Sequence, residues 1–303
     1  MQQICFRAMG CQMLAIIDSQ RPSQQARLDT VPAWFEAWEQ RLSRFRPDSE
    51  LSQVNRNMGT QAISSLLAEV LRIAQMAQHL SDGLVSPFLL DALEEAGYDR
   101  NFSDLPEYSD NVAEVPNPAE NLSLELCFHR RRVRRPPNRR LDLGGIAKGW
   151  AADRAARRLG KLAPALVDAG GDVAVSGSQA DGSPWPVGVA DPLNQDQVLD
   201  TVMLVRGGVA TSGRDYRRWR RNGVWQHHII DPRTNRPAQT DVLSATVVAP
   251  SASWAEVAAK TVLILGSLDG LKWLDAHPVY AGLVVLEDGT PLHSRRWLHH
   301  IWR

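Results

Sequence analysis

The stretch richest in chemistry is Leu141-Asp142-Leu143-Gly144-Gly145-Ile146-Ala147-Lys148-Gly149, followed by the helix-prone segment Trp150–Leu159. Glycine lets a backbone approach an anion with no Cβ in the way. A helix start offers unbonded N–H groups and the positive end of the helix dipole. Lys148 adds a point charge. The combination suits a phosphate, although neither G-x-x-x-x-G-K-[ST] nor G-x-G-x-x-G is present. On spacing alone, a tight turn that merely packs a helix accounts for it equally well. A second dense stretch runs from Gly208 to Pro237. It holds Ala210-Thr211-Ser212-Gly213, then Asp215-Tyr216-Arg217-Arg218, then His228-Ile229-Ile230-Asp231-Pro232-Arg233-Thr234. A hydroxyl pair, a histidine, two aspartates and several arginines are more than a hairpin requires. Yet Asp231-Pro232-Arg233-Thr234-Asn235 also suits an ordinary turn. A histidine in a strand is more often simply hydrogen-bonded than bound to metal.

The elements that must carry these residues can be read from periodicity. An early strand is expected over Met13–Ile17, and a helix over about 32–43 with Pro32 in its first turn and Trp34, Trp38 and Leu42 as a stripe. A second helix fits about 64–79, capped by Ser64 or Ser65, with Leu67, Val70, Leu71 and Ala74 facing the core. Residues 103–121, with Pro106, Pro116, Pro118 and many acids, read as a loop or insertion. Leu122–Phe128 and Arg130–Arg135 suggest a hairpin. Further strands are expected at 166–167, 173–176, 186–190, 201–206, 227–231, 243–249 and 280–286. Helices fit 253–265, ended by Gly266, and 268–276. Strands and helices mix without a βαβ rhythm, so the expected class is α+β, with mixed, mainly antiparallel sheets and packed helices. No linker divides the chain, and one domain over residues 1–303 is expected.

Composition bounds the function. A chain of 303 residues with 44% hydrophobic and 22% charged residues is neither disordered nor a small disulfide scaffold. No run approaches the ~18 apolar residues of a membrane span. Thirty-four basic residues balance thirty-four acidic ones, which argues against a dedicated nucleic-acid binder. The balance hides a lopsided middle. Residues 81–125 carry eleven acids against Arg100, and residues 126–161 carry twelve bases against two aspartates. These blocks read as solvated faces that partly neutralise each other, or the arginine run from Arg130 to Arg140 lines an anion site. Arg7 interrupts Ile4-Cys5-Phe6, and Met13–Ile17 is too short for a signal-peptide core. Cys5, Cys11 and Cys127 show no C-x-x-C spacing and read as small buried hydrophobes. A cytoplasmic protein is expected, with no membrane insertion.

Taken in order, several short blocks are similar to those of the ApbE family, flavin transferases that move FMN from FAD onto a protein hydroxyl. They are Met9-Gly10-Cys11, Leu42 to Ser52, Asp82-Gly83-Leu84-Val85-Ser86-Pro87, Leu141 to Gly149 and Val167 to Asp172. Val209 to Gly213, His228 to Arg233, and Ala255 to Lys260 running on to Leu265-Gly266 complete the set, which spans about residues 9–266. The resemblance implies a single α+β domain. It implies that Met9, Phe45, the Leu84-Val85-Ser86 segment, Asp142, Lys148 and Ile229 contact FAD. Gly145, through its backbone, and Glu256 occupy metal-binding positions, and Mg²⁺ is the cofactor implied beside FAD.

The chain departs from the family at several of these positions. Phe45 stands where tyrosine is usual and Ser86 where aspartate is usual. Glu256 and Lys260 stand where an Asp and a Thr four residues apart ligate Mg²⁺. A charged lysine has no acceptor for a metal. Either Glu256 and Lys260 form an intrahelical ion pair, for which their order and spacing are favourable, or the Lys260 ammonium takes the metal's electrostatic place. The implied function is an FAD:protein FMN transferase acting on a Thr or Ser hydroxyl of an acceptor protein, with AMP released. His228 or Asp231 would serve as base, and Lys260 would help neutralise the phosphates. The alternatives are a flavin-binding protein without transfer, or an FAD diphosphatase with water as the nucleophile.

Overall fold

A computed structural model of the chain describes residues 1–106, 108–109, 123–194 and 196–302. These residues form two compact units. One comprises Met1–Trp38, Lys148–Asp215 and Thr240–Arg303; the other comprises Glu39–Ala147 and Tyr216–Gln239. Both mix helices with small or large sheets that are mainly antiparallel, and the class is α+β.

The first unit is built on an eight-stranded sheet. Its strands, in spatial order, are Gln2–Ala8, Cys11–Ile17, Ala165–Ala169, Asp172–Val175, Gly207–Gly213, Val242–Ala249, Ala281–Leu286 and Pro291–His293. Every neighbouring pair is antiparallel. The edge strand alternates half-buried with exposed residues, while Asp172–Val175 is buried throughout. That contrast fits a sheet whose middle is covered on both faces. On one face Val173, Val175, Val209 and Leu283 pack with Trp185, Leu204 and Trp297. The Ala252–Leu265 helix is almost wholly buried, including Glu256. Its N-terminus is capped by Ser251, whose hydroxyl accepts from the Trp254 amide, and Gly266 ends it at φ 84°.

The second unit holds the helices Glu50–Arg56, Ser65–Leu80 and Leu90–Glu95 with three small sheets. Ser64 caps the Ser65–Leu80 helix, and Leu67, Val70, Leu71 and Ala74 are its buried stripe, as the spacing predicts. Trp219 packs with Tyr98, Leu93 and Ile230, and Phe45 lies against this cluster. The Trp219 indole donates to the Ala96 carbonyl at 2.8 Å.

Several sequence expectations need correction. The helix after the glycine turn begins at Ala147, not Trp150, so Lys148 and Gly149 lie inside its first turn. Gly207–Gly213 is a strand in the middle of the large sheet, although its short residues carry little hydrophobic signal. The 227–231 strand is two pieces, Val224–His227 and Ile230–Asp231. Cys5 and Cys127 are exposed and Cys11 is half-buried, because Cys5 points outward from an edge strand and Cys127 from a short hairpin. The 103–121 segment falls mostly outside the described residues, as does the start of the 122–128 strand; what is described pairs Glu125–Cys127 with Arg132–Arg134.

The arginine run divides. Arg130, Arg131, Arg132 and Arg134 are exposed, whereas Arg135 is buried and donates to the carbonyls of Val54, Asn55 and Arg139. Two of those carbonyls lie in the last turn of Glu50–Arg56, where the helix dipole favours a cation. Arg140 pairs with Asp91 at 2.7 Å and with Glu94 at 2.5 Å. Among the described residues no helix is long and apolar enough to cross a membrane.

Candidate active site

In the first unit, four charged side chains from three elements meet. Lys148 comes from the first turn of Ala147–Leu159, Asp172 from the start of a central strand, and Glu256 and Lys260 from successive turns of Ala252–Leu265. The Lys148 ammonium contacts Asp172 Oδ2 and lies 3.6 Å from Glu256 Oε1. The same Glu256 oxygen lies 3.2 Å from Lys260 Nζ, and Oε2 accepts from the Gly149 amide at 3.1 Å. Asp172 and Glu256 are buried, while each lysine side chain keeps 17% exposure.

Close helix packing assembles this cluster. A Cβ on Gly149 would stand 2.7 Å from the Ala252 carbonyl oxygen, and one on Gly208 would stand 2.4 Å from the Ala252 amide nitrogen. The N-terminal turn of the Glu256 helix therefore rests on two bare backbones. Asp153, one turn after Gly149, accepts from the Ala252 and Ser253 amides at 2.9 and 3.0 Å and from the Ser253 hydroxyl at 2.5 Å. It ties one helix to the start of the other.

The charges sustain one another. Burial alone would push the Lys148 ammonium towards losing its proton; the Asp172 and Glu256 carboxylates outweigh it and hold the group above the ordinary lysine range. Burial likewise disfavours ionised Glu256, but Lys260, Lys148 and the Gly149 amide hold it below its ordinary value. Asp172 goes the other way. Burial, reinforced by Glu256, pushes it up to about 7 against the pull of Lys148 and Lys260.

The Met9-Gly10 turn lies at one end of the same unit's edge hairpin. Both residues have positive φ, 50° and 71°, which is the twist a two-residue hairpin loop needs. A methionine held there costs about 1 kcal/mol.

The second unit groups the other predicted residues. The Asp142 amide donates to the Pro87 carbonyl at 2.8 Å, which sets Asp142 beside the Leu84–Ser86 segment. That segment leaves an Asp82-Gly83 pair with φ of 48° and 86°, and the Val85 amide donates to the Ser81 hydroxyl. Leu84 and Val85 are buried and Ser86 is half-buried. Arg44 reaches Asp142 Oδ2 at 3.0 Å, donates to the Tyr98 carbonyl at 2.6 Å and lies 4.0 Å over the Phe45 ring. The Gly144 amide closes the Asp142 turn on Oδ1 at 2.9 Å, and Gly145 follows it.

The second dense stretch divides between the two units. Thr211 bonds Thr246 across the large sheet at 2.8 Å, so its hydroxyl serves a cross-strand pair, and Ser212 is buried beside it. His227 is locked: its Nδ1 accepts from the Ile229 amide at 3.3 Å and its Nε2 lies 3.1 Å from the Ala238 carbonyl. His228 is half-buried and Ile229 is buried. The Asp231 carboxylate is gripped by Arg233, with Nε at 2.9 Å from Oδ1 and the outer nitrogen at 2.7 Å from Oδ2, and it also accepts the Arg233 amide. Asp231 thus organises the turn that the spacing suggests.

Sequence reasoning gave no role to Asp172, Arg44 or Asp153. Asp172 was visible as the acid after Gly170-Gly171. For Asp153 the only signal was its place one turn beyond Gly149.

The sequence profile described as the ApbE family matches residues 9–284. The chain belongs to the ApbE family. An FAD:protein FMN transferase of Treponema pallidum is 32% identical over 302 residues, covering 89% of this chain and 80% of that one. One of Salmonella typhimurium is 27% identical over 263 residues, covering 83% and 74%. The crystal structure of the ApbE protein from Thermotoga maritima superposes with a TM-score of 0.86 at 27% identity, covering 100% of this chain and 99% of that one.

The metal that the ApbE resemblance implies can be tested against these donors. Among the described residues no group of three or more His, Cys, Asp or Glu side chains is placed to hold a metal ion. Mg²⁺ takes about six oxygen ligands at roughly 2.0–2.1 Å. Here Glu256 Oε1 already faces two ammonium groups and Oε2 a backbone amide. Lys260 offers no acceptor at all. The residues do not fit Mg²⁺.

Proposed function

We propose that the chain is an FAD:protein FMN transferase that moves FMN from FAD to a Thr or Ser hydroxyl of an acceptor protein and releases AMP. The observation that carries this reading is Lys148, kept charged between Asp172 and Glu256 on a chain that belongs to the ApbE family. In the reaction the acceptor oxygen attacks the phosphorus of the FMN half. The diphosphate P–O bond breaks, AMP leaves with the electron pair, and the hydroxyl proton passes to a base. Positioning and charge neutralisation carry most of such catalysis.

Lys148 and Lys260 bind the diphosphate. Met9, Phe45, Leu84, Val85, Ser86, Asp142 and Ile229 contact the rest of FAD, with Arg44 holding both the Asp142 carboxylate and the Phe45 ring in place. His228 is the base; Asp231 positions its turn, because Arg233 already occupies its carboxylate. The family match runs through segments of both units, and the chain is taken as one functional domain. A reducing, cytoplasmic setting suits Cys5, Cys11 and Cys127, which form no disulfide with one another.

Incubating the protein with FAD and a cell extract tests this reading. Transfer releases AMP and leaves flavin fluorescence on a protein band after denaturing electrophoresis. AMP with free FMN identifies a diphosphatase instead, and unchanged FAD identifies a binding protein.

A further inference from the structure

The four-charge cluster fills the place where the ApbE resemblance puts a metal. Glu256 has little left to offer a cation, since both its oxygens are engaged. A dication bound at Oε1 at Mg²⁺ distance would also lie within a few ångströms of two ammonium groups that face the same oxygen. Expelling Lys148 would take from the buried Asp172 the ammonium that it contacts, and expelling Lys260 would undo the ion pair within the Glu256 helix.

The replacement is local. Residue 260 stands four positions after 256, so the ammonium returns to the carboxylate one turn back along the same helix. It brings a positive charge to the site with three donors and a flexible stem. Those donors are what phosphate oxygens accept, so Lys148 and Lys260 together present a cationic pair oriented by two buried carboxylates.

We infer that this chain binds and turns over FAD without a divalent cation, the Lys260 ammonium on Glu256 standing where the family's Mg²⁺ would be. This deepens the flavin-transfer reading and rests on it for the identity of the ligand. The exclusion of the metal rests on the ion network alone.

Two measurements on the unaltered protein decide it. The first is titration of the metal-free protein with Mn²⁺ alone, followed by electron paramagnetic resonance. No stoichiometric site tighter than about 1 mM is expected, and one stoichiometric site of micromolar affinity overturns the inference. The second is titration with FAD, by flavin fluorescence, in EDTA and in excess Mg²⁺. Affinities within about twofold are expected; tightening of about tenfold or more by Mg²⁺, some 1.4 kcal/mol, overturns it. If FAD binds under neither condition, the flavin reading fails while the Mn²⁺ result still decides the metal question. Lys260→Ala in EDTA should weaken FAD binding by about tenfold or more, the worth of one charge-assisted contact. A folded Lys260→Ala protein with unchanged affinity also overturns the inference.

Discussion

Gly149→Ala removes no functional group, yet it should damage the site. Three effects decide the sign. Alanine is the better helix former by about 1 kcal/mol, and Gly149 lies inside a helix, so propensity alone favours the change. Against this, the new methyl would stand 2.7 Å from the Ala252 oxygen, 2.9 Å from its carbonyl carbon and 2.9 Å from Ser253 Cα. Non-bonded carbon contacts are best at about 3.5–4.0 Å, so the two helices must part by roughly 0.5–1 Å. All three atoms are backbone, which cannot swing aside, and such overpacking costs about 1–3 kcal/mol. Parting the helices also stretches the Gly149 amide bond to Glu256 and the three bonds from Asp153 to residues 252 and 253. Each is worth about 1 kcal/mol.

The expected net loss for Gly149→Ala is about 2–4 kcal/mol by urea denaturation. FAD binding should weaken with it, because Lys148 moves off Glu256 with its helix. Gly177→Ala is the control: nothing lies within 4 Å of its added Cβ, and its stability should stay within about 0.5 kcal/mol of the wild type. A Gly149→Ala protein stabilised by the full propensity gain, with FAD affinity intact, would refute the close-packing account.

Lys148→Ala should weaken FAD binding by about a hundredfold, two charge-assisted contacts, and leave riboflavin binding nearly unchanged; equal losses for both ligands in fluorescence titrations would remove the phosphate assignment. Asp153→Asn should cost about 1–2 kcal/mol by weakening the tie to the Glu256 helix. Its pH dependence has a definite sign. Burial raises the folded Asp153 carboxyl despite its bonds from Ser253 and Ala252, so the folded state binds the extra proton. The wild type's advantage over Asp153→Asn should therefore shrink as pH rises from about 3.9, the unfolded value, through the raised folded value; an advantage that grows over that window contradicts the raised carboxyl. His228→Ala should lower transfer by roughly 10²–10⁴ with FAD affinity little changed, and Asp231→Asn should lower it less. The opposite order in single-turnover assays would move the base to Asp231.

Interactions confined to one segment could be read from residue order. The stripe and cap of Ser65–Leu80, the Gly266 stop and the Glu256–Lys260 spacing all follow from helical periodicity within a few residues. The glycine turn with its lysine was visible too, but not its use. Gly149 looked like room for an anion and proves to be room for a second helix. The reason is range: spacing along the chain cannot report a backbone that arrives from elsewhere. Lys148 meets Asp172 across 24 residues, and the Gly149 amide meets Glu256 across 107. The large sheet and its buried helix set those separations to zero. For the same reason, the partner of the Thr211 hydroxyl is known only once Thr246 lies beside it. By itself, the sequence determined the local elements, their order and the residues able to carry charge. Only the tertiary structure decided that two of those lysines share one buried carboxylate oxygen, because that depends on which elements pack together.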